Sequence, residues 1–466
     1  MKNRVCVLVI TALRVLGPLL VLGALLVVLP ALGWAQVAVS TDRSEIDQWI
    51  KASANQGDIP IGTKITTQNW QQYKNFLPLG MQKLFAGVYY WKIPQDAVLE
   101  VGPAVHDFLL KSWIERTEKY SGQVSVQVLP NGHYVLKNYH GGTPFPNPEE
   151  PYKGWKVLAN INWPAGPQMY VNTPSNYGTV WSMDRFGNVN ASTFDVVYRI
   201  STSDYISDPG IPAESLDYAP GSWYTEWAME ESPEQARYTA SLELFYIDQE
   251  KQPFPDTFVF VPALRRSLRL SSTARCSPVF GFDWSYDDAK GNGFNGSTSI
   301  YTGDYLGDRK ILTLSHFNQD GAIFPGGYIM PLGFPKPSWG KWEVRDMAID
   351  DVHRIPSEAA GYCYASRIMY ADKETWLGDW VDLFDSNNKL WKSISYYNNA
   401  GDVPGLGHMW EGVSSSAMDF QNSHQTIWCG FGNPWKRKPF IDGNAPKEYF
   451  NGVKYGSPSG LMQIMR

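Results

Sequence analysis

The sequence predicts a mainly β protein with a helical N-terminal part, and three observations carry that prediction. After Ser121, short apolar segments recur between clusters of Pro, Gly, Asn and Asp, the punctuation expected of strands and turns. Helical spacing of apolar residues is confined to the stretch before Tyr120. Residues 361–397 divide into three segments joined at "ADKET" and "DSNNK", the pattern of an antiparallel meander.

The first element is a targeting segment. Lys2, Arg4 and Arg14 precede an apolar run from Val15 to Leu29, then Pro30, with small residues Gly33 and Ala35 in "ALGWAQ". This order predicts a cleavable secretory signal peptide over residues 1–35 and, with it, a periplasmic location. Val5 to Leu32 is also long enough for an uncleaved anchor if Arg14 is tolerated. No cysteine stands at the junction for lipid attachment. Loss of the signal takes the formal charge from −6 to −9, a dispersed acidic balance that argues against nucleic acid as a partner.

Residues 36–120 read as a partly helical segment that packs on a sheet. In "TQNWQQYKNFLPLGMQKLFA" (67–86), Trp70, Tyr73, Phe76 and Leu77 suit a short helix stopped by Pro78. Val105, Phe108, Leu109, Trp113 and Ile114 suit a second helix over residues 103–118.

Residues 121–466 read as one antiparallel β-rich domain. "VSVQVL" (124–129), "HYVLKNY" (133–139) and "WKVLANINW" (155–163) are expected strands, so "GGTPFPNP" (141–148) becomes a rigid corner between strands, where proline cannot join a ladder. "TFDVVYRIST", "ARYTASLELFYID", "DTFVFVPALRRSLRL" and "GKWEVRDMAIDDV" continue the strand pattern. In "WLGDWVDLF", Trp376, Trp380 and Phe384 share one face, and the other carries Leu377, Val381 and Leu383. A strand apolar on both sides is covered on both sides.

The usual catalytic signatures are missing: there is no G-x-S-x-G, H-E-x-x-H, Walker loop or C-x-x-C, and the seven histidines show no ligand spacing. The expectation is a protein without catalytic residues, metal or cofactor. Gly291, Gly293 and Gly296 match G-x-G-x-x-G, but no buried parallel strand and helix flank them, so the match is accidental. Asp283, Asp287 and Asp288 read as a solvated acidic turn. Cys276, Cys363 and Cys429 allow one disulfide among three pairings. Arg265, Arg266 and Arg269 form either a patch for an anionic headgroup or acidic partner, or a guard against edge-to-edge strand pairing.

The blocks "NWQQYKNFLP", "YHGGTPFPNP", "VPALRRSLRL", "FDWSYDD" with "GFNG", and "SRIMYADKETWLGDWVDLFDSNNKLWK" together resemble an uncharacterised Gram-negative family labelled outer membrane lipoprotein-sorting-like. That family is distantly similar to LolA and LolB. The resemblance implies a large incomplete antiparallel β-barrel closed over by helices, with an apolar cavity. It also implies a periplasmic, non-enzymatic carrier of a lipid or other hydrophobic molecule, working beside an RND-type exporter and an outer-membrane β-barrel protein. On this reading Trp376, Trp380, Phe384, Trp391 and Phe145 are expected to line the cavity, with Phe145 at its mouth. A second reading is a glycan-binding or glycan-processing protein, in which exposed Trp223 and Trp227 stack on sugars beside Glu226 and Glu230. A third is a structural subunit of an outer-membrane complex, which needs no ligand.

Overall fold

The computed structural model describes residues 44–52, 57–106, 109–163, 169–173, 179–201, 221–290, 292–405, 407–429 and 440–465. The expected signal segment lies outside them. The strand signals form one sheet of fifteen strands, with small two-stranded ribbons beside it. Its strands are β1 (Met169–Asn172), β2 (Thr179–Met183), β3 (Val189–Ile200), β4 (Ser222–Ser232), β5 (Ala240–Tyr246), β6 (Asp256–Val261) and β7 (Arg266–Leu270). They continue as β8 (Tyr301–Thr313), β9 (Glu343–Arg354), β10 (Ser366–Asp372), β11 (Gly378–Phe384), β12 (Leu390–Val403), β13 (Gly407–Asp419), β14 (His424–Cys429) and β15 (Phe440–Ile441).

The spatial order is β7-β6-β5-β4-β3-β2-β14-β13-β12-β11-β10-β9-β8, with β1 pairing β3 and β15 pairing β1. Two antiparallel meanders, β2 to β7 and β8 to β14, meet where β2 pairs β14, Trp181 opposite Ile427. The end strands β7 and β8 do not pair with each other, so the sheet is open. The meander expected over residues 361–397 is present as β10, β11 and the first part of β12, with Ile368 opposite Asp382 and Val381 opposite Ile394.

Both faces of the sheet are covered. On one, Trp380, Phe384, Tyr370 and Ile368 pack with Ile46 of helix α1 (Ser44–Ala52), with Met81 and Leu84 of α2 (Leu79–Phe85), and with residues 311–342. Gly80 sits so close to the sheet that a Cβ would fall 1.8 Å from Ser393 Oγ. Its N–H donates to buried Asp382 at 3.1 Å, which also accepts from Tyr370 and Trp380. On the other face, Val381, Leu383, Ile394 and Met369 pack with Trp155, Leu158 and Ile161, which belong to a helix.

That helix, α4 (Lys153–Asn162), corrects the strand expected over residues 155–163. Lys153, Lys156 and Asn160 recur at helical spacing along α4, but eight of its ten residues are buried, and a short apolar run does not by itself distinguish buried helix from buried strand. The corner at residues 141–148 therefore joins a strand to a helix. Pro78 does not simply stop a helix either. A 3-10 helix, Trp70–Phe76, precedes it, and Pro78 then caps the start of α2, where a missing N–H costs nothing. Helix α3 begins later than expected, at Lys111 (Lys111–Tyr120): residues 103–106 are not helical, and Val105 N–H donates instead to Glu343 at 2.9 Å.

The disulfide is Cys276–Cys363, with Cα atoms 5.8 Å apart and the two cysteines 87 positions apart in sequence. Closing a loop of that length is expected to stabilise the fold by about 2–5 kcal/mol. Urea unfolding of the Cys276→Ser/Cys363→Ser protein measures this directly, and an unchanged midpoint would assign the bridge no stabilising role.

Candidate functional site

Between the C-terminal end of α4, the segment 279–292 and strands β3, β4, β13 and β14 lies a cavity of about 220 Å³. Its wall is mostly aromatic, with Trp163, Trp223, Tyr224, Phe282, Trp410 and Trp428 among its members. Strand β4 supplies two adjacent rings because a bulge at Trp223 shifts its register against β5; Trp223 and Tyr224 consequently pack into the same core. An apolar cavity of about 150 Å³ admits one benzene, and drug-sized ligands occupy about 300–1,000 Å³. The space here suits one ring system or a short chain.

The stretch "YHGGTPFPNP" positions two wall residues, Trp113 of α3 and Tyr139. Thr143 accepts a hydrogen bond from Trp113 Nε1 at 3.1 Å, and its own N–H donates to Thr117 at 2.9 Å. Phe145 N–H donates to Asn160 Oδ1 at 2.9 Å, and Asn160 Nδ2 donates back to Phe145 O at 2.7 Å. Gly142, at φ +77°, is needed here because a Cβ would meet the Thr117 backbone at 2.5 Å. The corner thus clamps α3 to α4.

The segment 279–292 contributes Phe280, Phe282, Trp284, Asp288, Lys290 and Asn292 to the wall, and it is held by buried charge pairs. Arg275 donates to Glu243 at 2.9 Å, to Tyr286 O at 3.0 Å and to Asp287. Arg354 reaches Asp287 at 3.2 Å, and Arg367 reaches Asp288 at 2.6 Å. Burial alone would raise the Asp287 pKa, but Arg275 and Arg354 outweigh it and hold the carboxyl at about 2. Asp287 and Asp288 are fully buried, so the expected solvated turn is corrected to an ion-paired anchor. Gly293 serves this anchoring as well: at φ +82° it lies where a Cβ would touch Val381 at 2.5 Å.

Polar groups on the wall are few. Lys290 donates to Asn162 O at 3.2 Å, and its Nζ lies 4.5 Å from the Tyr224 ring centre. Burial lowers its pKa to about 8, with Glu226 pulling the other way. The Glu226 pKa is raised well above the ordinary range by burial and then by Glu243. Trp163 Nε1 and Asn292 Oδ1 are buried without a hydrogen-bond partner. No group of side chains that could hold a metal ion occurs among the described residues.

The five aromatic residues expected on the wall lie elsewhere. Trp376 packs in the core beside α4, and Trp380 and Phe384 face α1 and α2. Trp391 donates to Asp419 at 3.0 Å, and Phe145 meets Trp155 edge-on at 6.5 Å. None of them borders the cavity, whereas their neighbour Leu377 does. Arg266 and Arg269 lie on the end strand β7 and Arg265 in the turn before it; Arg269 pairs with Asp256. Trp223 and Trp227 are buried in different cores, so they form no exposed platform.

These features define a mainly β protein whose open antiparallel sheet, wrapped by helices, encloses an aromatic cavity. The chain belongs to the family described as protein of unknown function (DUF1329), whose model matches residues 64–451. No curated protein matches it. A Vibrio parahaemolyticus domain named for outer membrane lipoprotein sorting is similar at 14% identity and a TM-score of 0.41, over 64% of this chain and 96% of that one. A DUF1329 family protein from Desulfovibrio piger is similar at 13% identity and a TM-score of 0.42, over 66% and 100%. A LolA superfamily protein from Nitrosomonas europaea gives 12% identity and a TM-score of 0.33, over 56% and 84%.

Proposed function

We propose that this protein is an exported, non-enzymatic carrier that binds one small hydrophobic molecule in the aromatic cavity. The observation that carries the reading is the wall itself: aromatic rings surround about 220 Å³ with only a few polar groups among them. Burial of apolar ligand surface there contributes about 25 cal/mol per Å² before ordering costs. A periplasmic site of action follows from the signal-like N-terminus, and among the described residues no helix is long and apolar enough to cross a membrane. An exporter or an outer-membrane β-barrel protein that delivers or receives the ligand rests on the family resemblance alone.

Native mass spectrometry of protein prepared without detergent from the producing cells tests this reading. A stoichiometric adduct, released by solvent and apolar in composition, is the expected result. Adduct-free masses in repeated preparations, together with no calorimetric binding of 2-naphthalenemethanol, would overturn it.

A further inference from the structure

The polar groups of the cavity gather at the C-terminal end of α4. Asn292 Nδ2 donates to Ile161 O, Lys290 Nζ donates to Asn162 O at 3.2 Å, and Trp163 follows directly. The ammonium has three donor hydrogens and uses one of them on the described residues. Trp163 Nε1 adds a donor without a partner, and Asn292 Oδ1 adds an acceptor without one. Donors therefore outnumber acceptors, and the nearest formal charge at this end is positive.

The remaining charged groups on the wall do not cancel it. Asp288 is matched by Arg367 at 2.6 Å and also accepts from Tyr364 at 2.8 Å. Glu226 accepts from Asn295 Nδ2 at 3.2 Å, and burial, then Glu243, raise its pKa well above the ordinary range, outweighing the opposite pull of Lys290 and Arg275. Burial also keeps Tyr198, Tyr224 and Tyr396 protonated. The carbonyls at the end of α4 are already occupied by Asn292 and Lys290.

We infer that the cavity takes a monocarboxylate: a compact ring or short chain whose carboxylate accepts hydrogen bonds from Lys290 Nζ and Trp163 Nε1 while its apolar body lies among the rings. This rests on the carrier reading and narrows its ligand class. A single ammonium matches one negative charge, and about 220 Å³ suits one ring system or a short chain.

Calorimetric titration with 2-naphthoate and its neutral analogue 2-naphthalenemethanol tests the inference. The intact protein is expected to bind the carboxylate at least about tenfold more tightly, the scale of one charge-assisted hydrogen bond. Lys290→Met should remove that preference by weakening the carboxylate far more than the alcohol, and Lys290→Arg should restore part of it. In the unaltered protein, naphthoate affinity should fall above pH about 8 as Lys290 loses its proton, while alcohol affinity stays level. Equal binding of both probes at every pH would overturn the carboxylate inference and leave the carrier reading standing. Failure of both probes to bind would overturn the carboxylate inference, and together with adduct-free masses it would overturn the carrier reading as well.

Discussion

Arg275→Met is expected to destabilise the protein by about 3–5 kcal/mol, the largest stability effect predicted for any single side chain here. The guanidinium is buried between Glu243 and Asp287, and it also donates to the carbonyls of Tyr286 and Asn295. Methionine keeps much of the volume but leaves two carboxylates facing each other without their shared cation. Urea unfolding provides the measurement. Arg269→Met is the internal comparison, because its exposed ion pair with Asp256 on the edge strand is screened and contributes near zero. Equal midpoints for the two variants would show that Arg275 is not the anchor proposed. Segment 279–292 also carries Lys290 and much of the cavity wall, so Arg275→Met should weaken ligand binding without touching the ligand.

The same segment explains what the sequence could and could not reveal. The meander of residues 361–397 was legible because each strand ends in turn residues and keeps its own apolar pattern. Its coverage on both faces was legible too, from Trp380 and Phe384 on one side and Val381 and Leu383 on the other. The cavity was not legible, because burial on both faces does not say which buried ring borders empty space. Trp380 borders a void of only about 10 Å³, whereas Trp223 and Trp428 border the cavity of about 220 Å³, and that difference arises from strands far apart in sequence. Asp287 and Asp288 looked like a solvated turn because their partners, Arg275, Arg354 and Arg367, come from other elements. Local spacing does not report such pairs. Helix α4 was hidden by its shortness: Lys153, Lys156 and Asn160 stand at helical spacing, but ten residues repeat that stripe too few times, and Val157, Leu158, Ala159 and Ile161 read equally well as a buried strand. One cue was available: "SWYTEWAMEES" sets Trp223 and Tyr224 side by side, a break in strand alternation of the kind a bulge creates.

Ala228→Phe is expected to abolish binding of 2-naphthalenemethanol, lowering affinity by at least roughly hundredfold, about 2.8 kcal/mol. Ala228 sits on β4, buried on the cavity wall. The added ring has the size of a benzene, and about 150 Å³ of apolar cavity holds one benzene. In a cavity of about 220 Å³ it leaves the volume of roughly two waters, too little for a naphthyl group. Stability should change little. Burying the new ring contributes about 1.5–3 kcal/mol, and the strain of fitting it into the wall beside its ladder partner Val196 costs about 1–3 kcal/mol. A variant with the parent's unfolding midpoint and no binding would place the ligand in this cavity, because misfolding would not explain the loss. Binding at full affinity with the ring in place would put the ligand elsewhere, and the aromatic wall would then be packing with a void.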